Sequence, residues 1–478
     1  MRIIAMQGHF LLPAAFALAL AGCAGMPSHA PSDATVTSTW VEIGPQGTAQ
    51  ARAVVPAGHA CPGMQVDDAM VPMSLRVAAS RPLPRPTATA MAGVKPALFD
   101  MEVCEATLPS NVHTLRIGGA DLPVPAKTFR RIVVLGDTGC RIKGADVQNC
   151  DNPAKWPFAT VATSAARLKP DLVLHVGDYH YRETPCPPGP NGCATSPWGY
   201  GWDVWRTDFF APAAPLLASA PWIFVRGNHE ECARAGQGWF RLLAPEPWRS
   251  DRSCDTAAND DDADFTSPYV VPLAANLQLL VFDSAHAGND ALNAANPHDA
   301  ITLERYHDEL AAAGRMTASP EMRTWFVSHH PVLGYVPDFL HPGATPLPGN
   351  PALQGALHDL YGSSYFPPGV DFAIHGHVHL FQAIDFASPH PATLVAGNGG
   401  DGLDHDLPPE LPPTLAPALG AVVQQIAHAE TFGFLLLEAT ASPSPRWLMH
   451  AYRADGSMLT DCVLVGSKLT CTRDGAIR

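Results

Sequence analysis

Hydrophobic and polar positions divide this 478-residue chain into regimes of different period. From Trp40 to about Pro125, runs such as Ser74-Leu75-Arg76-Val77 and His113-Thr114-Leu115-Arg116-Ile117 alternate apolar and polar side chains between Pro and Gly. A period of two sets alternate side chains on one face of a strand, so residues 40–125 predict a small β domain, sandwich-like in outline. From Arg130 to about Thr440, continuous apolar runs alternate with segments of helical period, the mark of a layered α/β domain. Ile132 to Leu135, Leu172 to Leu174, Trp222 to Val225, Leu277 to Phe282, Trp325 to Ser328 and Phe372 to Ile374 read as buried strands. Helices are expected at Pro157 to Leu168, Leu303 to Ala313 and Leu353 to Leu360. Phe434 to Leu437 and Trp447 to Tyr452 read as closing antiparallel strands, which assigns residues 126–478 to one larger domain.

The first residues follow a different rule. Arg2 precedes an apolar run, Phe10 to Ala21, too short for a membrane-spanning helix but suited to the core of a signal peptide over residues 1–22. Leu20-Ala21-Gly22-Cys23 resembles the lipobox of bacterial lipoproteins, which implies acylation of Cys23 and an exported protein anchored at the cell envelope, facing periplasm or cell surface. An ordinary secretory cut, with Cys23 merely a small residue near it, is the competing reading. Residues 23–39, rich in Ser, Thr, Pro and Ala, read as a tether. Beyond Cys23 ten cysteines remain and fall into near neighbours: Cys61 with Cys104, Cys140 with Cys150, Cys186 with Cys193, Cys232 with Cys254, and Cys462 with Cys471. Five local disulfides are the economical expectation in an oxidising compartment; zinc is the alternative, and no CxxC pair favours it. A net charge of −15 gives no electrostatic footprint for nucleic acid or anionic lipid, so membrane contact is expected only through Cys23.

Polar clusters stand at the ends of five expected strands: Gly136-Asp137-Thr138-Gly139, Gly177-Asp178-Tyr179-His180-Tyr181, Gly227-Asn228-His229-Glu230, Ser328-His329-His330-Pro331 and Gly376-His377-Val378-His379. Open α/β sheets build sites at the carboxyl ends of strands, and glycines let the backbone turn sharply enough for separate loops to converge. In this order the clusters resemble the calcineurin-like metallophosphoesterase superfamily, and specifically its purple acid phosphatase branch. Most of the superfamily begins with DxH; this chain has Asp137-Thr138-Gly139, and Tyr181, three residues after Asp178, can replace the missing ligand.

The resemblance implies a four-layer αββα fold and an enzyme that hydrolyses phosphate esters through a hydroxide activated by two metal ions, Fe(III) plus divalent Fe, Zn or Mn. It implies that Asp137, Asp178, Tyr181 and His379 hold the ferric ion, and that Asp178 is shared with a divalent ion that also takes Asn228, His329 and His377. His330 competes with His329, since the family's VxxH reads as Val327 to His330 or, less strictly, as Phe326 to His329; the position two residues before Pro331 favours His329. Carboxylate and phenolate oxygens suit a trivalent ion, whereas an amide oxygen and two imidazoles suit a divalent one. His229 is the candidate to contact substrate and protonate the leaving alcohol, and His341 is the candidate for a second such histidine.

His175 and His375 read as packed core histidines; His180, between Asp178 and Tyr181, is within reach of the cleft, with a place outside it the favoured reading. Gly397-Asn398-Gly399-Gly400 fits a backbone approach to the metals and a plain tight turn equally well. The insertions 140–150, 186–193 and 232–254 should shape what enters. A phosphorylated small molecule or glycan, as monoester or diester, is the expected substrate. Two other readings stay open: a surface protein that binds phosphate without turnover, and a phosphodiesterase with a non-iron metal pair in which Tyr181 is only near the site.

Overall fold

Alternation inside the buried strands decides the layering. In the strand Arg131–Leu135, Ile132 and Val134 face one side and Val133 and Leu135 the other, and all four are buried. Cover is therefore needed on both faces. The computed structural model describes residues 36–85, 94–338, 341, 343–409, 411–412, 414–441 and 446–472. In it Ile132, Val134, Leu174 and Ile223 meet Leu279, Trp325, Phe372 and Ile374 of a second sheet. Val133, Leu135, Val173 and Phe224 pack against the helices Phe158–Arg167 and Ala211–Leu217. On the far side Leu280, Phe326 and Ala373 lie under the helices Pro297–Met316 and Pro351–Tyr361. The result is the four-layer αββα sandwich.

Strand direction then positions the loops. Leu172–His175 runs parallel to both Arg131–Leu135 and Trp222–Phe224. In the second sheet Leu277–Val281, Arg323–Val327, Val370–His375 and Ala392–Ala396 also run parallel to one another. Parallel neighbours end on the same edge, so the segments following these strands emerge together. Gly433–Ala439 closes the first sheet antiparallel to Arg131–Leu135, and three further strands follow it outward.

The N-terminal residues depart from the expected separate domain. Ser38–Ile43 pairs in parallel with Trp222–Phe224 through Glu42 and Trp222, and brings Ala49–Pro56, Met101–Thr107 and Ser74–Val77 into one eleven-stranded sheet. A second sheet of four strands, including Gly63–Val66 and Leu115–Ile117, packs Met64, Val66, Leu115 and Ile117 on Val41, Ala51, Ala53 and Val55. A sandwich is present, but one of its sheets is the far end of the larger one. Turn density changes near residue 125, whereas pairing between positions 42 and 222 leaves no local trace.

All five local disulfides form. Cys23 and the expected signal peptide lie outside the described residues, and among the described residues no helix is long and apolar enough to cross a membrane. Trp40 is fully buried, 4.9 Å from the ring of Phe210 in the helical layer. Trp40→Ala should therefore cost about 3–5 kcal/mol, seen in guanidinium titration as an earlier midpoint of the main unfolding transition rather than as a new, separate one.

Candidate metal centre

Three of the expected ligands sit on strained backbone. Asp137, Asp178 and His377 have φ of 55°, 57° and 68°, in the left-handed region that costs a non-glycine residue on the order of 1–3 kcal/mol. Such conformations persist only where surrounding contacts over-determine them. For Asp178 the restraint is Glu230, whose carboxylate accepts from the backbone N–H of Asp178 (3.1 Å), Tyr179 (2.9 Å) and Gly227 (3.2 Å). The glycines allow the approach. A Cβ on Gly227 would lie 2.1 Å from Asp178 Oδ1, and one on Gly177, itself at φ +104°, would lie 2.4 Å from His329 Nδ1.

The loop tips bring six donor side chains together around the Asp178 carboxylate. Tyr181 Oη lies 3.0 Å from Asp137 Oδ1, 2.9 Å from Asp178 Oδ2 and 3.1 Å from His379 Nε2. Across the same Asp178 Oδ2, His329 Nε2 stands at 3.2 Å; Asn228 Oδ1 lies 3.0 Å from His329 Nε2 and 3.1 Å from His377 Nδ1. Donors bound at about 2.0–2.2 Å to one ion stand roughly 3.0–3.4 Å apart, so both groups have the spacing of a coordination shell. Outer contacts fix the imidazoles: His329 Nδ1 is 2.8 Å from Val176 O, and His379 Nδ1 is 2.8 Å from Gly402 O. His330 turns away, with Nδ1 3.2 Å from Ser284 Oγ and its ring against that of His377.

Electrostatics agrees with a cation pair. Burial pushes the Tyr181 phenol well above its usual range, and the Asp137 and Asp178 carboxylates push it further, so a phenolate there requires positive charge at the oxygen. Burial alone would lower the two outer histidines. Instead Asp178 and Asp137 carry His329 up to about 9, and Asp401, Asp404 and Asp137 carry His379 up to about 10. The cluster thus has an excess of negative charge that metal ions would neutralise.

A cleft of about 490 Å³ opens onto this centre, lined at its inner end by Asp178, Tyr181, Asn228, His229, His377 and His379. A model of the calcineurin-like phosphoesterase family matches residues 130–381, more than half the chain. The chain belongs to this family. Family membership makes it a metal-dependent phosphoester hydrolase. The purple acid phosphatase PPD1 from yellow lupin (Lupinus luteus) seeds is similar in fold, with 15% identity over 90% of this chain and 74% of that one and a TM-score of 0.52. A structure described as PhoD is similar at 12% identity over 95% and 94% of the two chains, with a TM-score of 0.54. No curated protein matches the chain.

In this phosphoesterase His229 lines the cleft with its backbone N–H donating to Asp178 Oδ1 at 2.9 Å. Its Nδ1 lies 3.1 Å from Glu183 Oε1 and 2.9 Å from His180 O, and Arg234 Nη2 approaches its Nε2 at 2.6 Å. Burial, and then the Arg234 guanidinium, push the imidazole down to about 3, so the ring is neutral, with its one N–H at Nδ1 toward Glu183 and His180 O and its Nε2 accepting from Arg234. His341 is not brought to the centre: its side chain is 73% exposed, pairs with Asp338 Oδ2 at 3.0 Å and does not line the cleft. An exposed loop carries it, and proximity in sequence to Pro331 did not translate into proximity in space.

Sequence reasoning missed Glu183, Arg234 and Asp208. Asp208 Oδ2 accepts from the backbone N–H of Tyr181 at 2.8 Å and its Oδ1 from that of Cys140 at 3.1 Å, tying two ligand loops to the helical layer. Only Glu183, two residues after Tyr181, carried a signal. His175, stacked 4.0 Å from Tyr179, and His375, 3.0 Å from Ser328 Oγ, are packed in the interior. His180 Nε2 is 2.8 Å from Gly199 O. The Gly397–Gly400 turn abuts the Asp137 loop, where Gly399 donates to Gly136 O at 3.0 Å.

The two histidine registers give different metal contents. His329→Ala should lose at least half the metal of the purified protein, measured by mass spectrometry, whereas His330→Ala should retain it.

Proposed function

We propose that the protein is a purple-acid-phosphatase-like enzyme with a mixed-valence metal pair, Fe(III) held by Asp137, Asp178, Tyr181 and His379, and a divalent Fe, Zn or Mn held by Asp178, Asn228, His329 and His377. The observation that carries this reading is the Tyr181 hydroxyl, within 2.9–3.1 Å of one donor atom each from Asp137, Asp178 and His379. A phenolate is a hard donor suited to a trivalent ion.

When bound, a metal pair supplies Lewis acidity toward phosphoryl oxygens and lowers the pKa of water to near neutrality. The chain supplies position and shape. Asp178 ties the two halves together, and Glu230 fixes the loop that carries it. His229, neutral and adjacent to Asn228, forms the cleft wall beside the centre: its Nδ1–H is held by Glu183 and the His180 carbonyl and its Nε2 accepts from Arg234, so the proton for the departing alcohol would come from water. An exported, lipid-anchored location through Cys23 belongs to the same proposal; five disulfides support an oxidising compartment.

Asp178→Ala separates enzyme from phosphate-binding protein. On a panel of mono- and diesters the parent should turn over and the variant should fall by at least about 10³-fold, because removing the shared carboxylate releases a metal; equal rates would refute the catalytic assignment. Iron is tested by colour. The native protein should show a visible tyrosinate-to-iron band that Tyr181→Phe bleaches, and a colourless native protein of known metal content would exclude iron in favour of a zinc or manganese pair.

A further inference from the structure

The cleft is chemically two-ended. Besides the metal-centre residues its lining includes Pro331, Val336, Leu347, Pro348 and Pro351, with the amides of Asn289 and Asn350 beside them. Leu347 is 59% exposed, an apolar side chain presented to water at the mouth of a catalytic cleft. Among the described residues that line the cleft, Arg141 is the sole guanidinium or ammonium group. Arg141 is already engaged: it pairs with the Asp401 carboxylate and, at 3.1 Å, with Asp146. Asp404 adds an acidic group to the same lining. A second phosphate or a carboxylate on the substrate would therefore meet no free cation outside the metal centre.

The apolar wall is built rather than accidental. Tyr335–Val336 pairs antiparallel with Leu347–Pro348. The buried Tyr335 anchors this ribbon, taking Gln382 Oε1 on its N–H at 3.1 Å and donating its hydroxyl to Leu415 O at 2.9 Å. Beside it Asn350 donates its N–H to Pro331 O at 2.8 Å and caps the helix Pro351–Tyr361 by accepting from Leu353 N at 2.9 Å. A Cβ on Gly349 would lie 2.3 Å from Val332 O, so the backbone is in close contact there. A surface held this way loses little entropy when a ligand covers it.

We infer that the alcohol half of the substrate is an uncharged group with an apolar body, and that Val336, Leu347 and Pro348 form the subsite that selects it. The inference rests on the phosphatase reading above and narrows it. Phosphate monoesters of alkyl alcohols fit this subsite better than sugar phosphates or substrates with a second anionic group, because burial of methylene groups is what the wall can offer.

A homologous series tests this while holding the reaction constant, since ethyl, butyl and hexyl phosphate have leaving groups of nearly equal basicity. With the metal-loaded full chain, kcat/KM should rise by roughly two- to fourfold per methylene, the upper value being what ~0.8 kcal/mol per buried methylene converts to. Hexyl phosphate should exceed glucose 6-phosphate by at least about tenfold. Leu347→Ser should flatten the hexyl-to-ethyl ratio, a comparison internal to one protein and insensitive to how much of it folds. The corresponding alkylphosphonates, which cannot be hydrolysed, should bind more tightly with length by calorimetry. A flat phosphonate series, or sugar phosphate turned over as fast as hexyl phosphate, overturns the apolar subsite while leaving the phosphatase reading intact. Turnover of none of the esters overturns that reading instead, and the phosphonate series then decides the subsite alone.

Discussion

A single buried carboxylate, Asp178, is the constraint around which the molecule is organised. One of its oxygens has the Tyr181 phenol at 2.9 Å on one side and the His329 imidazole at 3.2 Å on the other, while its second oxygen accepts a backbone N–H from His229. Those partners come from both sheets, so the sandwich must hold two sets of loops in register. Asp178 sits on left-handed backbone, and Glu230, buried beneath it with three N–H donors, offsets that strain. Core packing between Ile132, Leu174, Trp325 and Phe372 is thus part of the site's geometry and not a separate matter of stability.

Charge works locally against the global balance. The chain carries −15 overall, yet the centre gathers carboxylates and a phenol whose neutralisation by metal ions would leave a positive focus for phosphate. Two histidines beside the ligand set are kept neutral by burial: His330 is pushed down to about 3, and His229 likewise with help from Arg234. Away from the metals the cleft changes character within a few residues, from imidazoles and carboxylates to proline, valine and leucine.

Some departures from the sequence reading have local causes. The helix Pro297–Met316 begins six residues earlier than its apolar period suggests, because its first turn is polar and solvent-facing and is nucleated by Asn296 capping His298 with Pro297 at the first helical position. Strands Phe381–Phe386 and Val423–Ala429 were not anticipated; the latter is only half-buried and interrupted by polar residues. His341 satisfied a spacing expectation but sits on an exposed loop, paired with Asp338.

Strand and helix periods, the five cysteine pairings, and the identity and order of the donor clusters were legible in the amino acids, because each is encoded by neighbours within a few residues: alternation for strands, glycine beside an acidic group for a sharp turn, oxygen and nitrogen donors for metals. Three things were settled only by folding. His329 rather than His330 faces Asn228, since the two rings point to opposite sides of one turn and only the packing of that turn against Val176 and Ser284 selects between them. Glu42 reaches Trp222 to fuse the N-terminal strands with the larger sheet. Glu183, Arg234 and Asp208 close on the ligand loops from 26 to 51 positions away along the chain or from the adjoining segment. Contacts of that kind depend on how whole layers stack, a property of the assembled core to which no short stretch of sequence corresponds.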